Sequence, residues 1–346
     1  MLRTARTILS TPRLIHHRLV LVACCVILSS LQLQAAPQSE SNSSKSDSSS
    51  EDKTFSKIEV LVISKKYDKA ESLIESAVIK QGTAPARAYF RMGKIYFDHD
   101  EWDRAADYLQ KSMKAQEGND ETHLLLGLAH RELKRPEEAE KEFMKAASLN
   151  PRSDVNAYFA GQQLLLDQKF EAALSYLYKA IKLNSRNVSA YRAVGTTQVR
   201  LGNYGLAEAY YRKAIEALGD SASSDPGPFL DLSLVLLLGH DPAKVEEALK
   251  LAKRAAVIQP SSADAHYLVG KALMKQGRVK EALPELALAC RLDPEDSKAH
   301  YQLALAYERL GERAKARAER QALAKTKRRA NQQGMASGSV LPRTPE

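Results

Sequence analysis

The histidines are the residues of this chain best suited to chemistry, because an imidazole can bind a metal ion or transfer a proton near neutral pH. His123 and His130 are seven residues apart on one helical face, and His266 and His300 are 34 residues apart. A zinc site would combine such histidines with a general base, as in HExxH, or with closely spaced cysteines. Neither pattern occurs. We therefore expect packing histidines that are satisfied by hydrogen bonds, and no metal site.

The other reactive groups predict no catalytic site. Cys290 is the only thiol beyond Cys24 and Cys25, and it falls on the inner side of a predicted helix, where we expect it to be buried and inert. Gly270 and Lys271 lack the upstream glycine and the following Ser or Thr of a phosphate-binding loop. The acids lie mostly on solvated helix faces or beside lysines. The sequence thus predicts a protein that is not an enzyme and needs no cofactor.

The formal net charge of +9 resides at the two ends of the chain. Residues 1–36 carry four arginines and no acid, and residues 325–346 carry five basic residues against Glu346. Between these ends the charges nearly cancel. A uniformly basic binding domain is therefore not supported, and we expect no nucleic-acid partner.

The N-terminal 36 residues have the pattern of an export signal. A basic segment precedes the apolar run LVLVACCVILSSL at residues 19–31, which is followed by Ala35 and Ala36. This run is shorter than the roughly 20 residues of a spanning helix, so a cleaved signal peptide is favoured over a signal anchor that would tether the protein through residues 19–31. Residues 21–24 also resemble a lipoprotein box, but more apolar chain follows Cys24. We expect an exported protein, periplasmic or secreted, or alternatively one anchored in the inner membrane.

The elements that would position any site repeat along the chain. The stretch DETHLLLGLAHRELKRPEEAEKEFMKAASLNP, at residues 120–151, predicts two short amphipathic helices that meet at a corner near Pro136. Gly127 on the first helix and Ala139 on the second predict a close approach of the two backbones. One such hairpin cannot bury both of its faces, so we expect copies on either side.

Eight copies begin near residues 51, 86, 120, 154, 188, 229, 263 and 297, with steps of 34 or 35 residues and one of 41. The longer step predicts an extra loop at residues 219–228, either a surface insertion or a hinge. Position 8 is glycine in five copies, while the sixth copy has Leu236 there. Position 20 is alanine in every copy: Ala70, Ala105, Ala139, Ala173, Ala207, Ala248, Ala282 and Ala316.

This period and these small residues resemble the tetratricopeptide repeat (TPR) family. The resemblance covers residues 51–324 and implies an all-α fold, a right-handed superhelical solenoid of about eight helix-turn-helix repeats. Arg320 stands where a core residue is expected in the last copy, which suits a terminal capping repeat. Outside the repeats, residues 37–50 predict a serine-rich disordered linker and residues 325–346 a basic disordered tail.

The resemblance also implies a concave groove lined by the first helix of each repeat. Aromatic rings with nearby cations favour a peptide or helix whose apolar anchors are flanked by acids. The alternative for any single ring is packing against the next repeat. A clamp for a terminal carboxylate is not expected, since Phe90, Leu124 and Leu125 occupy its places. The candidate groove residues are Phe55, Phe90, Lys94, Phe97, Leu124, Tyr158, Gln162, Arg192, Arg200, Tyr267, Lys271, Met274, Lys275, Tyr301 and Arg309.

Together these expectations favour a non-enzymatic interaction scaffold that binds a peptide or a partner protein in the groove, in the bacterial periplasm or cell envelope. The alternative is a membrane-associated structural or assembly protein that acts through its N-terminal anchor and its basic C-terminal tail. The sequence leaves the partner and the oligomeric state open.

Overall fold

The computed structural model describes residues 45–81, 84–116, 119–219 and 224–336. Within these ranges the chain forms sixteen α-helices and no strand. In chain order the helices are α1 (Lys45–Ile63), α2 (Tyr67–Gln81), α3 (Pro85–Asp98), α4 (Trp102–Ala115), α5 (Asp120–Glu132), α6 (Pro136–Leu149), α7 (Asp154–Leu166), α8 (Phe170–Leu183), α9 (Val188–Arg200), α10 (Tyr204–Leu218), α11 (Gly227–Leu236), α12 (Pro242–Ile258), α13 (Ala263–Lys275), α14 (Val279–Leu292), α15 (Ser297–Arg309) and α16 (Arg313–Ala336).

From α3 onward, consecutive helices pair into hairpins, and each hairpin packs against the next one along the chain. This arrangement confirms the predicted all-α repeat solenoid. All eight alanines at position 20 are at most 3% exposed, because each one lies at the crossing of the two helices of its hairpin. The core is therefore a continuous row of small contacts flanked by larger side chains such as Tyr96, Phe143 and Leu177.

The corner of each regular hairpin ends the first helix with one residue in the left-handed backbone region. In the third repeat this residue is Lys134, at φ 58°, and the Arg135 N–H donates to the His130 carbonyl oxygen at 2.9 Å. Such a bond satisfies a carbonyl that the helix end would leave unpaired. The same conformation recurs at Lys65, Asp100, Gln168, Gly202, Gly277 and Gly311.

The glycine at position 8 makes room for the large side chain at position 24. A Cβ on Gly127 would lie 2.7 Å from the Phe143 ring, so the ring packs directly on the backbone of the first helix. Ala139, the partner that the sequence predicts, is buried in the same hairpin, but the Phe143 ring makes the closest approach. The equivalent pairs are Gly93 with Leu109, Gly161 with Leu177, Gly195 with Tyr211 and Gly270 with Leu286.

The sixth repeat differs in register from the sequence-based prediction. Ser233, which is fully buried, donates from Oγ to the Ala248 carbonyl oxygen at 2.9 Å, so Ser233 rather than Leu236 takes the small position 8. The Asp225 carboxylate accepts from the Gly227 N–H at 2.8 Å where α11 begins. The predicted start at 229 is therefore wrong, and the repeat begins at about 226. The added chain is divided between the loop before α11 and a longer corner after it, whereas the prediction placed all of it in the loop.

Both ends of the helical region extend beyond their predicted boundaries. Helix α1 begins at Lys45, inside the predicted disordered linker, and α16 continues to Ala336, inside the predicted disordered tail. Helix propagation costs little once a helix exists, and residues 325–333 contain no glycine or proline to stop it. Arg329 also binds Glu295 at 2.5 Å, which holds this extension against the preceding turn.

The last repeat has the polar outer side that the sequence predicts for a cap. Arg320 occupies its core-type position, yet its side chain is 65% exposed and pairs with Glu308. The predictions for residues 1–36 lie outside the described residues. Among the residues that the structure does describe, no helix has the length and apolar character needed to cross a membrane.

Candidate functional site

The fifteen candidate groove residues lie on the first helices of the repeats, but they differ widely in exposure. Five are buried and offer a partner little surface, because their side chains pack against a neighbouring helix: Phe55, Phe97, Leu124, Tyr267 and Met274. Seven are partly exposed: Phe90, Lys94, Tyr158, Gln162, Arg192, Lys271 and Lys275. Three are exposed: Arg200, Tyr301 and Arg309.

In the third and fourth repeats, the polar groups of this face bind one another. Arg131 donates to Gln162 Oε1 at 2.9 Å, and the Gln162 amide donates to the Tyr158 hydroxyl at 2.8 Å. The Arg131 guanidinium also lies 5.5 Å from the centre of the Phe159 ring. Arg131 was missed by the sequence analysis, because a single arginine on a helix gives no signal of its distant partners. This part of the face is internally satisfied.

In the fifth and sixth repeats, an ion pair joins α9 to α11. Arg192 Nε donates to Asp231 Oδ2 at 2.6 Å. Burial raises the pKa of Asp231, and the Arg192 charge and hydrogen bond oppose this rise. Gly227 permits the contact, since a Cβ there would lie 2.5 Å from the guanidinium. Arg192 therefore links the fifth repeat to the sixth. Asp231, its partner, was not predicted from the sequence.

In the seventh and eighth repeats, three lysines gather around one tyrosine; we call Lys271, Lys275 and Lys298 the lysine cluster. The Nζ atoms of Lys271 and Lys298 lie 5.8 and 5.9 Å from the centre of the Tyr267 ring. Burial lowers the pKa of Lys271, and the positive charges of Lys275 and Lys298 lower it further. Among the residues that the structure describes, neither Lys271 nor Lys298 has a carboxylate within ion-pair distance. The cluster thus holds positive charge that the fold does not neutralise.

Lys275 of the cluster and Arg309 nearby bind backbone carbonyls. Lys275 Nζ donates to the Gly239 oxygen at 2.8 Å, and Arg309 donates to the Met274 oxygen at 3.0 Å. These bonds fix the two side chains while leaving their charges unpaired. Tyr301 on α15 is 55% exposed and supplies a free aromatic ring in the same two repeats.

The recurrent histidines bind glutamates of their own repeats. His123 Nδ1 lies 2.6 Å from Glu142, and the corresponding bonds of His266 to Glu285 and of His300 to Glu319 are 2.7 Å. Each pair joins the first helix of a hairpin to the second. These three histidines are satisfied by hydrogen bonds as expected, whereas His130 is a packing histidine whose buried Nδ1 has no hydrogen-bond partner among the described residues.

Cys290 is buried, as the sequence predicts. Burial raises the pKa of its thiol to about 12, with added contributions from Glu319 and Asp296. At neutral pH such a thiol stays protonated and is a poor nucleophile.

Comparison with known proteins places these observations in a family. Two family models described as tetratricopeptide repeats match the chain, one at residues 90–154 and 160–225 and the other at residues 270–311. No curated protein sequence matches it.

Solved structures of TPR-type proteins have the same fold. A tetratricopeptide repeat protein from Parabacteroides merdae matches with a TM-score of 0.54 at 16% identity, covering 74% of this chain and 98% of that one. The type IV pilus biogenesis factor PilW matches with a TM-score of 0.54 at 19% identity, covering 62% and 96%. PilF from Pseudomonas aeruginosa matches with a TM-score of 0.53 at 17% identity, covering 62% and 95%. At these identities the likeness supports the fold alone.

Proposed function

This chain belongs to the tetratricopeptide repeat family, and on that basis we propose that it is a non-enzymatic scaffold that binds an acidic segment of a partner protein through the first helices of its last two repeats, α13 and α15. Proteins of this family and fold typically act as interaction scaffolds. The proposal adds a location on the repeat array and a chemistry for the bound segment.

The lysine cluster is the observation that supports this location. Partial burial of Lys271 between two other lysines costs free energy in the free protein, as its lowered pKa reflects. A bound carboxylate would reverse that cost, because opposite charges at a partly desolvated site attract more strongly than in water. Tyr301, 55% exposed, would receive an apolar side chain of the same segment. The partner segment therefore combines acidic residues with an apolar anchor.

The middle repeats are less suited to such a partner. There Arg131, Gln162 and Tyr158 bind one another, and Arg192 binds Asp231. A ligand would have to break these bonds and replace them, which gains little free energy. The same first-helix face therefore has a structural role in the middle of the array and an unsatisfied surface near its C-terminal end.

We further propose that the protein works outside the cytoplasm, in the bacterial periplasm or cell envelope. The support is the basic and then apolar segment of residues 1–36. N-terminal mass spectrometry of the protein recovered from the envelope fraction tests this. A mature start near Ala36 or Pro37 supports a cleaved signal, an intact Met1 supports an anchor, and recovery from the cytoplasm alone contradicts the proposal.

The binding proposal is tested with a fluorescent peptide that alternates glutamates with leucine or phenylalanine. We expect the Lys271→Ala/Lys298→Ala variant to bind it at least about tenfold more weakly, equivalent to about 1.4 kcal/mol. The matched control is Lys280→Ala, an exposed lysine on α14 of the same repeat. We also expect affinity to fall with added salt. Unchanged affinity of a folded double variant, or an equal loss in the control, would contradict the proposed site.

A second candidate function is contact with an anionic membrane through the C-terminal helix. The observation in its favour is that α16 continues to Ala336 with Lys325 and Arg328 exposed. The Lys325→Ala/Arg328→Ala variant retains the pair of Arg329 with Glu295 and removes the two exposed charges. Binding to vesicles that contain phosphatidylserine should then fall if this function holds. Peptide capture at the lysine cluster should be unchanged, which separates the two candidates.

A further inference from the structure

Cys290 on α14, His300 on α15 and Glu319 on α16 come together at the junction of the last two repeats. Their potential ligand atoms all lie within 4.8 Å of one another. From this juxtaposition of a thiol, an imidazole and a carboxylate on three successive helices, we propose that the three side chains form a zinc-type divalent-metal site. This proposal goes beyond the scaffold function and departs from the sequence-based expectation of no metal.

The orientation of His300 suits a metal ligand. Its Nε2 lies 3.2 Å from the Pro294 carbonyl oxygen, and its Nδ1 faces Glu319 Oε2 at 2.7 Å. Metal-binding histidines commonly donate their other ring N–H to a backbone carbonyl, which fixes the ring and the tautomer. Nδ1 is then the ligand atom, and the Pro294 carbonyl is the supporting acceptor already in place.

Movements of about an ångström or slightly more would admit the ion, since the three ligand atoms lie within 4.8 Å of one another. Zinc binds nitrogen and oxygen at about 2.0–2.1 Å in tetrahedral geometry, which separates the two ligand atoms by about 3.3 Å. The His300–Glu319 distance would have to grow by roughly half an ångström. The Glu319 side chain is 23% exposed and lies at the edge of the site, so it is free to rotate by this amount. Its exposure also leaves an entry path and a fourth position for water.

A divalent ion would displace the thiol proton of Cys290, since thiolates bind zinc directly.

A nucleophilic triad of the same residues does not fit. For His300 to activate Cys290, one ring nitrogen would have to accept the thiol proton. Both nitrogens already have other partners, Glu319 at Nδ1 and Pro294 at Nε2, so the thiol would have to displace one of them. A metal ion at Nδ1 would instead be shared with Glu319, and the Pro294 contact would stay in place.

Two other histidine–glutamate pairs in the chain lack the cysteine and can be compared with the proposed site. His266 pairs with Glu285 and with the Pro260 carbonyl in the same way, but Ala256 stands where the thiol would be, ten residues before the histidine. His123 and Glu142 form a third pair, preceded by Met113 at this place. The histidine–glutamate pair therefore stabilises a repeat without a cysteine. The third ligand is present only in the last pair, where an ion would join α14 to the terminal hairpin of α15 and α16.

The test is a Co²⁺ titration of the full chain, prepared without a polyhistidine tag. We expect about one equivalent to bind and to give a thiolate-to-cobalt charge-transfer band that excess Zn²⁺ abolishes. Cys290→Ala, which copies the natural Ala256, should lose the band and bind at least about tenfold more weakly while remaining folded. Glu319→Gln should weaken binding but retain the band.

Hydrogen exchange provides a second measurement. Zn²⁺ should slow exchange in α15 and α16 of the wild type and leave the Cys290→Ala variant unchanged. An absent band, or binding that persists undiminished in the Cys290→Ala variant, would overturn the proposal. The intact His266–Glu285 pair in every variant controls for binding by a histidine and a glutamate alone.

Discussion

Gly127→Ala should destabilise the third repeat, although alanine is the better helix former. The new Cβ would lie 2.7 Å from Phe143 Cε1 and 2.8 Å from Cδ1. The ring has little freedom to move away, since it is fully buried and stacked on Phe159 at 5.7 Å between ring centres. Overpacking costs about 1–3 kcal/mol, and the gain in helix propensity is about 1 kcal/mol. We expect a net loss centred on about 1 kcal/mol.

The matched control is Gly205→Ala in α10, where a Cβ would meet no atom within 4 Å. This substitution should stabilise its helix by about 0.5–1 kcal/mol. Because each repeat contacts only its neighbours, global unfolding of the array need not be two-state. The assay is therefore hydrogen exchange of the α5 and α10 amides, supported by urea titration.

A double-mutant cycle identifies the cause. In a Phe143→Ala background the ring is gone, so Gly127→Ala should become neutral or stabilising, with a coupling of about 1–3 kcal/mol. Exchange in α5 that is unchanged or slower in Gly127→Ala alone would refute the proposed contact. Equal effects of Gly127→Ala with and without the ring would refute it as well.

Three further predictions concern polar groups. Ser233→Leu should destabilise the sixth repeat by at least about 1–3 kcal/mol, measured by exchange in α11, because the larger side chain cannot fit beside the Ala248 carbonyl; a neutral result would contradict the assigned register. Arg192→Ala should lower the free energy of unfolding by about 1–3 kcal/mol at pH 7. Because the pKa of Asp231 is already raised in the folded state, this loss should shrink as the pH falls and Asp231 becomes protonated. A loss that does not depend on pH would exclude the ion pair as its cause. Burial lowers the pKa of His130 below its usual 6.5, so the stability that is present above pH 6.5 should be lost as the pH falls through the pKa of the folded protein. Hydrogen exchange in α5 should show this loss as the pH is lowered. The His130→Leu variant should abolish the pH dependence.

The sequence was sufficient for the repeat architecture because the signal is repeated eight times. Each alanine at position 20 marks the same helix crossing, and every one is buried. Helix type and approximate boundaries follow from this period. The register of the sixth repeat did not follow, since a step of 41 residues gives the total length of added chain but not its division between two connections. The small residue Ser233 and Asp225, which bonds the first N–H of α11, were signals of the correct register.

Exposure at the candidate site was harder to predict because it depends on the neighbouring repeat. Tyr267 and Tyr301 occupy the same position of the repeat, yet they are 6% and 55% exposed. Lys298 of the following first helix lies over Tyr267, whereas no further first helix follows α15 in the described chain. Residues brought together from separate helices, such as Arg192 and Asp231, leave no local pattern that a sequence motif could reveal.

The two connections that flank α11 show where this chain tolerates a change in length. The added residues lie before Asp225 and after Leu237, while Ser233 and Ala248 keep the contact found in the regular repeats. The connections on both sides of α11 are thus longer than in the regular repeats, while the packing position of α11 is unchanged. These two connections are accordingly the natural insertion points of the array, where a tag, an epitope or a whole domain could be carried between repeats that retain their packing.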